Sequence, residues 1–141
     1  DPTWVQSGFT DVGRDGCRVP LPWSGSAAPY GFSPSAVTTW LPQPGHWGAY
    51  TVASQDGDPG SFLNLYRAAL ALRPGLWVGA GDVRWLTTPP AVLALARGAA
   101  QCWVNTGDVD VDLPAGYDVV VASVDGIDAV LPPDSAAWLM A

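Results

Sequence analysis

The sequence predicts a mainly β protein: an antiparallel β-sandwich over residues 76–141, reached through a long stretch of loops and one helix. Three observations carry that prediction. From about residue 76 the apolar pattern has a period of two, in short runs separated by turn dipeptides. Residues 58–73 fit a helical period instead. Residues 1–60 hold Pro20, Pro22, Pro29, Pro34, Pro42, Pro44 and Pro59, which forbid any long helix or central strand.

The loops come first, and they do not read as a linker. Trp4, Phe9, Trp23, Tyr30, Phe32, Trp40, Trp47 and Tyr50 fall among them, and linkers are poor in aromatics. Loops of this composition expect a surface to lie on, which little else in the chain supplies. The expectation is that the first third belongs to a larger domain. Asp1-Pro2 also reads as mid-loop sequence, so an excised piece of a longer protein is expected.

The helix follows in DPGSFLNLYRAALALRPG. Asp58 suits a cap, Pro59 the first helical position, and Pro74-Gly75 a stop. Phe62, Leu65, Tyr66, Ala69 and Leu72, with Leu70 beside them, are expected on one face. The strands come last: VGAGDVRWL, AVLALARG, AQCWVNTG, DVDVDLPAG, YDVVVAS and SAAWLMA, at the spacing of a sandwich. The domain reading is therefore 1–75 for loops and helix and 76–141 for the β-domain.

Composition excludes several chemistries. The chain has no Lys and no Glu; its six cations are Arg and its thirteen anions Asp, for a net charge of −7. That balance argues against nucleic acid or an anionic membrane surface as a partner. No apolar run approaches the ~20 residues of a membrane span, and a cytoplasmic location is expected. Without Lys there is neither a phosphate-cradling GxxxxGK loop nor a Schiff base. His46 is the only histidine, so a Ser–His–Asp relay or a His-rich metal site is nearly excluded. Cys17 and Cys102 are expected to be free thiols. No cofactor is expected.

Two patterns invite sharper readings. Asp108, Asp110 and Asp112 align on one strand face, which reads as a solvated face more readily than as a calcium site. Trp77, Trp85, Trp103 and Trp138 are expected in the sandwich core. For Trp23, Trp40 and Trp47, in loops, sugar stacking and plain packing stay balanced.

The stretch GRDGCRVPLPW, residues 13–23, has no period at all. It resembles the Arg-Asp-Gly-x-Arg…Pro…Trp signature of the α-glucosidase and oligo-1,6-glucosidase branch of the α-amylase superfamily. The continuation is similar too: Tyr30-Gly31-Phe32-Ser33, Trp40-Leu41-Pro42, and Gln55 with Asp58-Pro59-Gly60-Ser61 ahead of Tyr66-Arg67 and Leu72-Arg73. The likeness is dense over 13–73, looser through VLALARG, CWVNTG and LPPDSAAWL, and bacterial in wording.

The resemblance implies a (β/α)8 barrel followed by an antiparallel β-domain. Residues 1–75 would then be the barrel's last loop and last helix, with the remainder of the barrel as the missing partner. It also implies retaining hydrolysis of α-glucoside oligosaccharides by two Asp and one Glu. All three lie on earlier barrel strands, so no catalytic residue is expected in this chain, which alone should be inactive. The chain's own lack of Glu places the acid/base elsewhere independently. What remains is an arginine, Arg14 or Arg18, holding the glucose at the cleavage site, with Asp15 and Trp23 supporting the loop. A fixed fork of five donors suits sugar hydroxyls and a nearby carboxylate. Two rivals stay open: a trehalose-forming, sucrose-acting or transglucosylating relative, and a free-standing carbohydrate-binding or interaction β-module.

Overall fold

The computed structural model describes residues 2–34, 37–77 and 79–141, and the chain divides into two compact units, Asp1–Pro59 and Gly60–Ala141. The fold class is as the periodicity predicts: the second unit is built on antiparallel sheet.

The second unit opens with one helix and continues as strands. Its strands are β1 (Arg84–Trp85), β2 (Val92–Arg97), β3 (Ala100–Asn105), β4 (Val111–Asp112), β5 (Asp118–Ala122), β6 (Val130–Leu131) and β7 (Ser135–Met140). Five of them form a sheet in the order β1-β2-β3-β7-β5, and β4 pairs with β6 in a second, two-stranded sheet. Every pairing is antiparallel. β2 and β3 are joined by the two-residue turn Gly98-Ala99, where Gly98 has φ +59. Hairpin turns of this length need positive φ at a central position, which glycine adopts without strain.

Alternation sorts the side chains onto two faces. One face carries Ala94, Trp103 and Ala137 in register, and next to them Leu139 opposite Val119. Here Leu131 from β6 joins Ala137 and Leu139 in a core that Leu113, Tyr117 and Ile127 complete. Asn105, 1% exposed, links the two sheets: its Nδ2 donates to the carbonyls of Val109 (2.8 Å) and Leu131 (3.0 Å), and its Oδ1 accepts from Gly107 N–H. A buried amide with every polar group paired fixes one packing of the sheets.

The other face carries Leu95, Cys102, Trp138 and Val121 in register. The helix of this unit spans Phe62–Trp77, and Leu65, Tyr66 and Ala69 flank a cleft of about 260 Å³ against Val121, Ala136 and Trp138. Trp77 meets Trp138 edge to face at 5.7 Å.

The helix differs from its prediction in three respects. It starts four residues later, because Ser61 rather than Asp58 stands ahead of the first turn, its Oγ accepting from Asn64 N–H at 3.3 Å. It runs through Pro74 to Trp77, so the Pro-Gly pair does not stop it. A proline costs the helix one hydrogen bond and a steric contact, and burial of Leu76 lies beyond it. The expected single apolar face is two faces: Leu65, Ala69, Leu72 and Leu76 are at least half-buried, while Phe62, Tyr66 and Leu70 are exposed. A spacing of four in both sets had merged them.

The tryptophan and aspartate readings also need correction. Trp103 packs on the core and Trp77 and Trp138 are half-buried, but Trp85 is 70% exposed. β1 is a two-residue edge strand and buries neither of its side chains. Asp108 lies in a bend and only Val111–Asp112 is strand, so the three aspartates do not share a strand face.

The first unit has no sheet among its described residues. Its helical pieces are short: Pro2–Gln6, the 3-10 turns Asp15–Cys17 and Gly45–Tyr50, and Val52–Asp56. Proline spacing prevents anything longer.

Candidate functional site

The resemblance points to residues 13–23, and the first unit shows how such a stretch is held without periodic structure. Gly13 N–H donates to Asp11 Oδ1 at 2.8 Å. The chain then tightens into the 3-10 turn Asp15–Cys17, in which Cys17 N–H reaches Arg14 O (3.1 Å) and Arg18 N–H reaches Asp15 O (3.0 Å). The Cys17 thiol also donates to Arg14 O at 3.0 Å. Arg18 Nη1 lies 3.6 Å from Asp15 Oδ1, one turn apart. Arg14 and Arg18 are both exposed, and Asp15 is half-buried between them.

Beyond the turn, carbonyl oxygens hold the loop. Pro20 and Pro22 have no N–H to give, so the rest of the unit donates to them. Gln43 Nε2 donates to Pro20 O at 2.8 Å, Val52 N–H to Pro22 O at 3.1 Å, and Ala53 N–H to Trp23 O at 2.9 Å. Trp23 and Ser24 N–H both converge on Tyr30 O, at 2.7 and 2.9 Å.

Tyr30 is the buried pivot, 1% exposed, and its hydroxyl faces the carbonyls of Pro44 (3.0 Å) and Gly45 (2.8 Å). Gly31 turns the chain with φ +70 where a Cβ would stand 2.5 Å from Ser24 Oγ, so only glycine fits. Thr51, 1% exposed, caps the helix Val52–Asp56 by accepting from Ser54 N–H at 3.1 Å.

Sequence reasoning named Arg14, Asp15, Arg18 and Trp23. The structure brings the first three together on one turn. Trp23 is tied in by its backbone, and its side chain is 50% exposed. Trp40 is 91% exposed, while Trp47 is half-buried. Of the buried braces, Tyr30 lies within the motif Tyr30-Gly31-Phe32-Ser33, Gln43 stands one position past Trp40-Leu41-Pro42, and Thr51 lies outside every motif.

Both cysteines are free thiols. Burial pushes the Cys102 thiol above its ordinary value, and a hydrogen bond with Trp138 opposes that only in part. Among the described residues no cluster of His, Cys, Asp or Glu could hold a metal ion. No helix among them is long and apolar enough to cross a membrane.

An arginine turn on proline struts, followed along the chain by an antiparallel β-domain, is the combination that the sequence resemblance assigns to α-amylase-family enzymes, and known proteins agree. The chain fits the C-terminal part of an enzyme of that family. A probable alpha-glucosidase of Rhizobium meliloti (strain 1021) is 38% identical over 115 residues, which is 77% of this chain and 20% of the relative. A glucan 1,6-alpha-glucosidase of Streptococcus dysgalactiae subsp. equisimilis is 33% identical over 136 residues, 90% of this chain and 25% of the relative. Among solved structures, the alpha-glucosyl transfer enzyme XgtA is similar with a TM-score of 0.65 and 28% identity, over 89% of this chain and 26% of that one. No family model matches the chain. The chain thus spans only 20% to 25% of the curated relatives it matches.

Proposed function

We propose that this chain is the C-terminal part of a retaining α-glucosidase that releases terminal α-linked glucose from maltose-like oligosaccharides. Residues 1–75 would be the closing loop and last helix of its (β/α)8 barrel, and 76–141 its C-terminal β-domain. The observation that carries the reading is the arginine turn within a stretch similar to α-glucosidases over most of the chain. Arg18 and Asp15 pair across the turn, and one of Arg14 and Arg18 reaches the glucose at the cleavage site. Arginine suits the role because it stays charged and offers several donors in one plane.

The three catalytic carboxylates belong to the rest of the barrel, the partner this chain needs. Two free thiols support a reducing, cytoplasmic setting for the parent. The test is stereochemical. A longer chain carrying this sequence with its barrel should release the α-anomer of glucose first from an aryl α-glucoside, followed by proton NMR. First release of the β-anomer would reject the retaining mechanism.

A second reading, transfer of glucose to another sugar in place of water, draws support from the similarity to an alpha-glucosyl transfer enzyme. Products of the same longer chain on maltose, sucrose and trehalose separate the two: free glucose marks hydrolysis, and new oligosaccharides or isomers mark transfer.

A further inference from the structure

We propose that Gln43 is the positioning residue of the arginine turn, holding it from its far end through one hydrogen bond. The inference rests on the reading of that turn as one wall of a glucoside site. Gln43 is 9% exposed and sits 23 positions from Pro20, whose carbonyl it holds at 2.8 Å through Nε2. Pro20 ends the segment that carries Arg14 and Arg18. Pro20 and Pro22 have no N–H, so at these two positions the backbone can be tied down only through its carbonyls.

The strut itself is stiff. Pro42 and Pro44 flank Gln43 and lock the backbone on both sides. Pro44 and Gly45 present their carbonyls to the buried Tyr30 hydroxyl, so the segment bearing Gln43 is anchored independently. The amide orientation is fixed as well. Turning it over would set Oε1 against the Pro20 carbonyl, two acceptors with no proton between them.

The other end of the amide is unusual. Oε1 is buried and has no hydrogen-bond partner among the described residues. The donating end, Nε2 on the Pro20 carbonyl, is the part of the amide that ties the strut to the arginine turn.

The test uses a longer chain that carries this sequence with its barrel. Gln43→Met removes the donor and should raise KM for an aryl α-glucoside about tenfold with kcat within about twofold, since a displaced arginine weakens ground-state and transition-state binding alike. Gln43→Glu isolates the donor. At about pH 7.5 the ionised carboxyl cannot donate to Pro20, and KM should rise likewise. Burial favours the neutral acid, whose O–H can donate, so at about pH 5 KM should return to within about twofold of the unsubstituted enzyme at that pH. Unchanged KM in Gln43→Met, or a Gln43→Glu defect indifferent to pH, overturns the proposal.

A second measurement separates this proposal from the reading of function. In the 141-residue chain, Gln43→Met should speed hydrogen exchange at the Cys17 and Arg18 amides about tenfold and leave the Thr51-capped Ser54 amide unchanged. That result in a chain whose parent cleaves no glucoside would reject the function and leave the positioning role standing. Unchanged exchange at Cys17 and Arg18 would reject the positioning role itself.

Discussion

The two units of this chain are held together by different physics. The second is built on ladders: β2, β3 and β7 pair in register over six residues each, around Leu131, Ala137 and Leu139. The first has no ladder among its described residues. It is fastened at single points, by side chains such as Gln43, Tyr30 and Thr51 reaching backbone groups 3 to 23 positions away. A ladder spreads stability over many equivalent bonds. A point-fastened loop concentrates it in a few, and holds exposed groups such as Arg14 and Arg18 where regular structure could not.

Substitutions should show that difference, and the largest effect belongs to the ladder unit. Leu139→Ala removes a side chain 1% exposed from the core and should cost about 2–5 kcal/mol, read from denaturant unfolding of the sheet amides. Next comes the pivot of the loops. Tyr30→Phe deprives the Pro44 and Gly45 carbonyls of a donor and should destabilise the first unit by about 1–3 kcal/mol, with the sheet amides unmoved in the same exchange experiment. Loosening of both units together would contradict the distinction.

Smaller again is Thr51→Ala, which removes a cap and should cost about 0.5–2 kcal/mol, localised at Val52–Asp56. The smallest effect falls on thiol chemistry. Exposed Cys17 should be alkylated well before Cys102, as peptide mass mapping would show. The raised value at Cys102 belongs to the folded state, so the unfolded chain gives up that proton first. Its contribution to stability is complete below the ordinary thiol value and is lost as pH rises from there toward the folded value. Cys102→Ala should flatten that alkaline decline.

What could be read in the sequence follows the same division. β2, β3, β5 and β7 announce themselves by a period of two, because a strand with one buried face has to alternate. β6 was missed: Val130–Leu131 is two residues long, and its partner Val111–Asp112 lies about twenty positions back. The helix was legible but its ends were not, since Ser61 competes with Asp58 as a start and Pro74 fits inside. In the loops, the arginines stood out through a motif. Their fastenings did not, because a side chain bonding one distant carbonyl leaves no periodic mark.

Under the proposed function, this chain forms one wall of a glucoside site and carries none of its chemistry. The direct measurement is turnover of an aryl α-glucoside by the purified 141-residue chain. Release of the aryl group should be no faster than the buffer blank. Release above the blank that survives repurification, and falls when Arg14 is replaced by alanine, would contradict it.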